Sequence, residues 1–171
     1  MNPAYEVATT LLSFAQTALS ATLAGVPADA RICVVPGQLA WDDCECGLIA
    51  VEFNGSAFSN NFFSPQPEIS NGCLSYATFT YTITALRCVT GTQAAGHPPT
   101  CAQLDAAAQV FYDDGLALLM GTSRALKSMM DANMILEYGM NGLVPTGPQG
   151  NCVGQTQQVT VALPNQWGTC G

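Results

Sequence analysis

Apolar positions near the start of the chain recur at helical spacing. Val7, Leu11, Phe14, Ala18 and Thr22 form one stripe, and Leu12, Ala15, Leu19 and Leu23 widen it, which predicts a helix over residues 4–24. Gly25 and Pro27 end it. A face this broad predicts packing on a sheet or on another subunit. A short strand is expected over about 31–35, closed by Pro36-Gly37. A second, over 48–54, puts Ile49, Val51 and Phe53 on one face and Glu52 and Asn54 on the other. The clearest period lies in 74–88, where Ala77, Phe79, Tyr81, Ile83 and Ala85 alternate with Thr78, Thr80, Thr82 and Thr84. One face of that strand is core and the other faces solvent or a polar interface. Thr100 and Gln103 match a capping box behind Pro99, opening a helical region over 100–138. Leu104, Ala108, Phe111, Gly115 and Leu118 mark its buried stripe. Gly121 is expected to interrupt it, and Leu126, Met129, Met130, Asn133 and Met134 carry the helical character to Tyr138. A Gly-Pro loop follows. Val159, Val161 and Leu163 alternate in a last strand over 157–163, ended by Pro164.

The resulting order, α-β-β-β-α-(α)-β, does not alternate regularly, so a doubly wound parallel sheet is not expected. The reading is an α+β fold, with a small antiparallel or mixed sheet and helices packed on one face. Residues 1–171 suit one domain. Residues 55–72 are rich in Ser, Asn, Pro and Gly and read as a long loop, the kind of segment that carries function. Phe58, Phe62 and Phe63 sit in it with no helix or strand period to bury them, which makes the loop a candidate partner-docking surface.

Charge narrows the classes. Twelve acidic residues against four basic ones give a net charge of −8. That balance argues against binding to nucleic-acid phosphates, though an acidic bore would let DNA slide past without sticking. No apolar run approaches the roughly 18–20 residues that span a bilayer, so no membrane partner is expected. Asn2-Pro3-Ala4-Tyr5-Glu6 places an acid where a signal peptide has its basic region, so no cleavable signal is expected. Eight cysteines, Cys33, Cys44, Cys46, Cys73, Cys88, Cys101, Cys152 and Cys170, are disulfide candidates. They allow on the order of a hundred pairings. Cys88 with Cys101, bracketing a loop, and Cys152 with Cys170, bracketing the last strand, are the pairs sequence position favours. The alternative is that several are small buried hydrophobes.

Candidate chemistry is sparse. His97, the one histidine, lies in a Gly-His-Pro-Pro loop with no nucleophile motif beside it. Cys44-Glu45-Cys46 is too tightly spaced for half a structural zinc site, and a partner pair is missing. Asp42, Asp43 and Glu45 form an acidic cluster that could hold a hard cation, but a solvated turn explains it better. Asp113 and Asp114 are adjacent on a helix and point in different directions, which reads as a polar face and not as a catalytic pair. Met129, Met130, Met134 and Met140 fit core packing better than an adaptable partner surface. No catalytic, cofactor or metal site is expected, and the chain is not read as an enzyme.

One resemblance goes further. Cys33-Val34-Val35-Pro36-Gly37 leads to Trp41-Asp42-Asp43-Cys44-Glu45-Cys46-Gly47. Cys73, Leu86-Arg87-Cys88-Val89 and Pro99-Thr100-Cys101 follow, and then Gly147-Pro148-Gln149-Gly150-Asn151-Cys152-Val153-Gly154. The order and spacing of these segments, from Arg31 to Leu163, resemble the tail terminator proteins of long-tailed (siphovirus) actinobacterial phages. The resemblance implies a structural virion protein, usually a hexameric ring, that caps the tail tube and ends its polymerisation. It would join the tail to the connector or stopper of the neck, with DNA passing through its bore. It implies partners in the major tail tube protein and the neck connector, no cofactor, and assembly in the host cytoplasm into the tail–neck junction of the virion. Alternatives are a neighbouring neck component or, from a different class, a secreted disulfide-stabilised binding protein.

Overall fold

The computed structural model describes residues 2–28, 31–39, 47–59, 62, 76–88, 98–149 and 152–164. Its elements in chain order are α1 (Pro3–Leu19), β1 (Ile32–Val35), β2 (Leu48–Ser59), β3 (Tyr76–Cys88), α2 (Cys101–Asp131), β4 (Glu137–Gln149) and β5 (Cys152–Leu163). The strands form one mixed sheet in the order β1-β2-β3-β5-β4. β1 runs parallel to β2, and the other pairings are antiparallel. Both helices pack on the same side of this sheet. The expected α+β architecture is the one the chain adopts.

α1 begins where Asn2 caps it, its side-chain oxygen accepting from Ala4 N–H at 3.0 Å with Pro3 in the first turn. It stops at Leu19, one turn before the expected end. Ser20 closes it, and Leu23 beyond is exposed, not part of the buried stripe. Val7, Leu11, Ala15 and Leu19 bury fully against Ile49, Val51, Ile83 and Tyr81 of the sheet. The Tyr81 hydroxyl donates to the Ala4 carbonyl at 2.8 Å, which ties the start of α1 to β3.

α2 opens on the expected capping box. Gln103 N–H donates to the Thr100 hydroxyl at 3.3 Å, and Thr100 N–H donates to the Gln103 side chain at 2.9 Å. Gly121 does not interrupt it. A Cβ there would come within 2.8 Å of Ala18 Cβ and 3.1 Å of the Phe14 carbonyl, so the missing side chain lets α1 and α2 close on each other. The helix ends seven residues before the expected Tyr138. Asn133 adopts φ 55°, and Met134 N–H bonds back to the Met129 carbonyl at 2.9 Å, a left-handed cap that turns the chain into β4. Met129 is core, Met134 and Met140 pack at its margin, and Met130 is exposed.

The largest departure is β4, since 139–156 reads in sequence as loop. Glu137–Gln149 pairs with β5, which itself starts at Cys152, five residues ahead of expectation. Glycines and prolines disguise β4, and its place at the edge tolerates them, because an edge strand needs ladder bonds on one side only. Two buried glutamines, Gln155 and Gln157, disguise the first half of β5.

β2 also runs past residue 54 to Ser59, with a register shift between Phe53 and Gly55. The threonine face of β3, turned away from the helices, is less open than expected. Thr78 and Thr84 are buried. Thr78 donates to the Ala57 carbonyl at 3.0 Å and Thr84 to the buried Glu52 carboxylate at 2.8 Å. Leu48, Ala50, Leu86 and Cys152 make a second small apolar cluster on that side.

Candidate assembly surface

Of the three phenylalanines expected to dock a partner, Phe62 is 5% exposed. Its ring lies over β4, where a Cβ added to Gly139 would sit 3.7 Å from Phe62 Cε1. Phe62 therefore belongs to the chain's own packing, a correction to the docking-loop reading. The sequence hid this because the strand that covers Phe62 is the one that reads as loop. Phe58 is 50% exposed but stands on β2, paired with Ala77 of β3, not in a loop. Phe63 lies outside the described residues, as do His97, Asp42, Asp43, Glu45, Cys44, Cys46, Cys73 and Cys170.

Among the described cysteines, Cys152 is disulfide-bonded. Cys101 is an exposed thiol, so it does not pair with Cys88 as its position suggested. Cys33 is a half-buried thiol packed at the second cluster.

The acidic pair on α2 divides its work. Asp114 is buried, and Arg87 of β3 grips it with Nε at 2.6 Å from one carboxylate oxygen and Nη2 at 3.1 Å from the other. Thr22 donates to the same carboxylate at 2.8 Å, and Arg87 Nη2 also donates to the Gly25 carbonyl at 2.6 Å. Asp113 accepts from Leu23 N–H at 2.8 Å. The two carboxylates thus clamp the turn after α1 onto α2 and β3. Their expected divergence is observed, but Asp114 is a structural anchor and not part of a solvated face. Beside this anchor a cavity of about 470 Å³ opens between Ala107, Val110 and Phe111 of α2 and Ala85 and Val153 of the sheet. Gln155 reaches across from β5 to the Phe111 carbonyl.

Residues Cys101–Asp113 of α2 include none that is buried. At the end of this stretch and beyond it, Tyr112, Leu116 and Met120 stay 76%, 58% and 45% exposed. Beside them a groove of about 380 Å³ runs between α2 and α1, lined by Phe14, Thr17, Ala18 and Gly121. Tyr112, Leu116 and Met120 recur every four residues, so their side chains form one exposed apolar stripe beside this groove. Sequence reasoning missed it because the stripe expected to be buried runs through Leu104 and Phe111 on a neighbouring face of the same helix, and that stripe is itself buried only from Gly115 onward, Leu104 being 53% exposed.

Among the described residues no cluster of three or more His, Cys, Asp or Glu could hold a metal ion. No described helix is long and apolar enough to cross a membrane. The burial that surrounds Tyr81 pushes its phenol well above the usual tyrosine range, in keeping with a core residue. Exposed Lys127 is held charged by its hydrogen bond to Asp131 at 2.9 Å. No protein-family profile matches the chain, and no curated protein sequence does.

Proposed function

We propose that the chain is a structural subunit of a phage neck, a tail-terminator-like protein that closes into a ring on the tail tube. The order of segments from Cys33 to Gly154 suggests the reading. The observation that carries it is the sheet. Its outer strands, β1 and β4, stand at opposite ends and differ in length and character. One subunit thus offers two unlike ends, as head-to-tail contacts around a closed ring require. Asn141, Gly142, Val144 and Pro145 of β4 are exposed along the outer half of the β4–β5 hairpin, where a neighbour could be met. Pro145 in that edge strand discourages uncontrolled strand addition. The net charge of −8 suits a bore through which DNA slides without sticking.

The test is to add the purified chain to polymerising tail tube protein and to weigh the native particle. A ring of several copies, about six by resemblance, that arrests tube growth supports the reading. A chain that neither closes into a ring nor touches the tube refutes it. The disulfide at Cys152 is the observation that favours the second reading, a secreted disulfide-stabilised binding protein. A chain that remains ringless and is recovered outside cells would support that instead.

A further inference from the structure

The exposed side of α2 carries a pattern beyond its apolar character. At about 100° per residue, Asp105, Gln109, Tyr112, Leu116, Met120, Ser123 and Lys127 fall within an arc of roughly 80°. All seven are exposed. The centre of this stripe is apolar, and its ends carry opposite charges, Asp105 toward the N-terminus and Lys127 toward the C-terminus. A second α2 laid antiparallel and centred on Leu116 meets its own complement. Leu116 faces Leu116, Tyr112 faces Met120, Gln109 faces Ser123, and Asp105 faces Lys127 at both ends. We propose that this face of α2 docks a second copy of this chain, helix against helix, about a two-fold axis at Leu116.

Self-complementarity is what a two-fold contact demands of a single surface. The reverse orientation is disfavoured: a parallel copy in register would put Asp105 against Asp105 and Lys127 against Lys127. From Asp105 to Lys127 the helix spans roughly 33 Å at its usual rise. The groove beside Phe14 and Thr17 lies next to Leu116 and Met120, where it can receive the partner's Tyr or Met side chains. Lys127 already reaches Asp131 of its own helix. Both groups are well exposed, so the ammonium can share its charge with Asp105 of the second copy. The inference does not rest on the neck reading, since a contact through α2 leaves the two ends of the sheet free.

Sedimentation equilibrium of the full chain over a range of concentrations tests it. A reversible dimer is expected. Leu116→Glu changes an exposed side chain, so it should leave the circular dichroism unchanged and weaken self-association at least tenfold. Asp105→Lys should also weaken it, and Asp105→Lys combined with Lys127→Glu should restore it. Register is read by oxidative cross-linking in a Cys101→Ser background, which removes the exposed native thiol of α2: Leu116→Cys should couple to itself, and Gln109→Cys should gain a cross-link when mixed with Ser123→Cys that neither gives alone. A particle of twice the ring mass that Leu116→Glu halves would support both this contact and the ring. A chain monomeric at high concentration, or an assembly of any size indifferent to Leu116→Glu and to the charge exchange, overturns the proposal. A six-copy ring indifferent to both would do so while leaving the neck reading intact.

Discussion

Removing Arg87 should cost this chain more than most single substitutions. Its side chain is 15% exposed and that of its partner Asp114 is 6% exposed, so the pair is largely out of water. Arg87→Met keeps the apolar stem but leaves a buried carboxylate with Thr22 as its remaining side-chain donor. Breaking a buried pair from one side costs about 3–5 kcal/mol, because a charge is left without compensation. That is a large share of the roughly 5–15 kcal/mol that holds a typical domain folded. The double substitution Arg87→Met/Asp114→Leu removes both charges. What remains is the lost donor to the Gly25 carbonyl, about 1–3 kcal/mol, since the Thr22 hydroxyl keeps the Leu19 carbonyl at 2.9 Å. The double variant should therefore be more stable than Arg87→Met alone, with a coupling energy of about 2 kcal/mol or more. Urea unfolding followed by circular dichroism at 222 nm (a standard helix signal) gives all four corners of the cycle. If Arg87→Met lies within about 0.5 kcal/mol of the parent, as a surface change would, or if the two single costs simply add, the anchor described here does not exist.

Three further outcomes are expected. Phe62→Ser should destabilise by about 3–5 kcal/mol in the same unfolding assay, through the cavity it leaves against β4, whereas Phe58→Ser should cost less than about 1 kcal/mol; equal effects would refute the placement of Phe62. Gly121→Ala should cost about 1–3 kcal/mol, because the added carbon must push Ala18 and the Phe14 carbonyl away and part the two helices; a stabilised variant would mean that α1 and α2 are not in close contact there. Tyr81 is pushed upward by burial, so its neutral form is favoured by the fold. Its contribution is complete below about pH 10, the unfolded value, and is lost as pH rises above it. Melting temperatures above pH 10 should fall more steeply for the parent than for Tyr81→Phe, and parallel curves would refute the coupling.

Much of the fold was legible because it rests on local rules. Strand β3 announces itself by strict alternation, since its helix-facing side is apolar and its other side is threonine. The start of α2 is written in Thr100 and Gln103, whose capping bonds are made between residues three apart. The apolar stripe Val7, Leu11, Ala15 and Leu19 needed only the helical period. The number of packed faces followed from the order of these elements.

The rest was decided by contacts far apart in the chain. β4 has no apolar alternation to betray it, and pairing with β5 alone makes it a strand. Its formation then buries Phe62, which by composition belongs to an exposed loop. Gly121 looks like a helix breaker until Ala18 is placed against it, and Asp114 looks like a surface carboxylate until Arg87 arrives from β3. Which side of α2 stays bare was equally hidden, because several faces of that helix are apolar and only the position of the sheet selects the one that is buried. Local propensity and periodicity are properties of neighbours in sequence; burial, pairing at an edge and the fate of a charge depend on what the fold brings alongside, and those were fixed by tertiary structure alone.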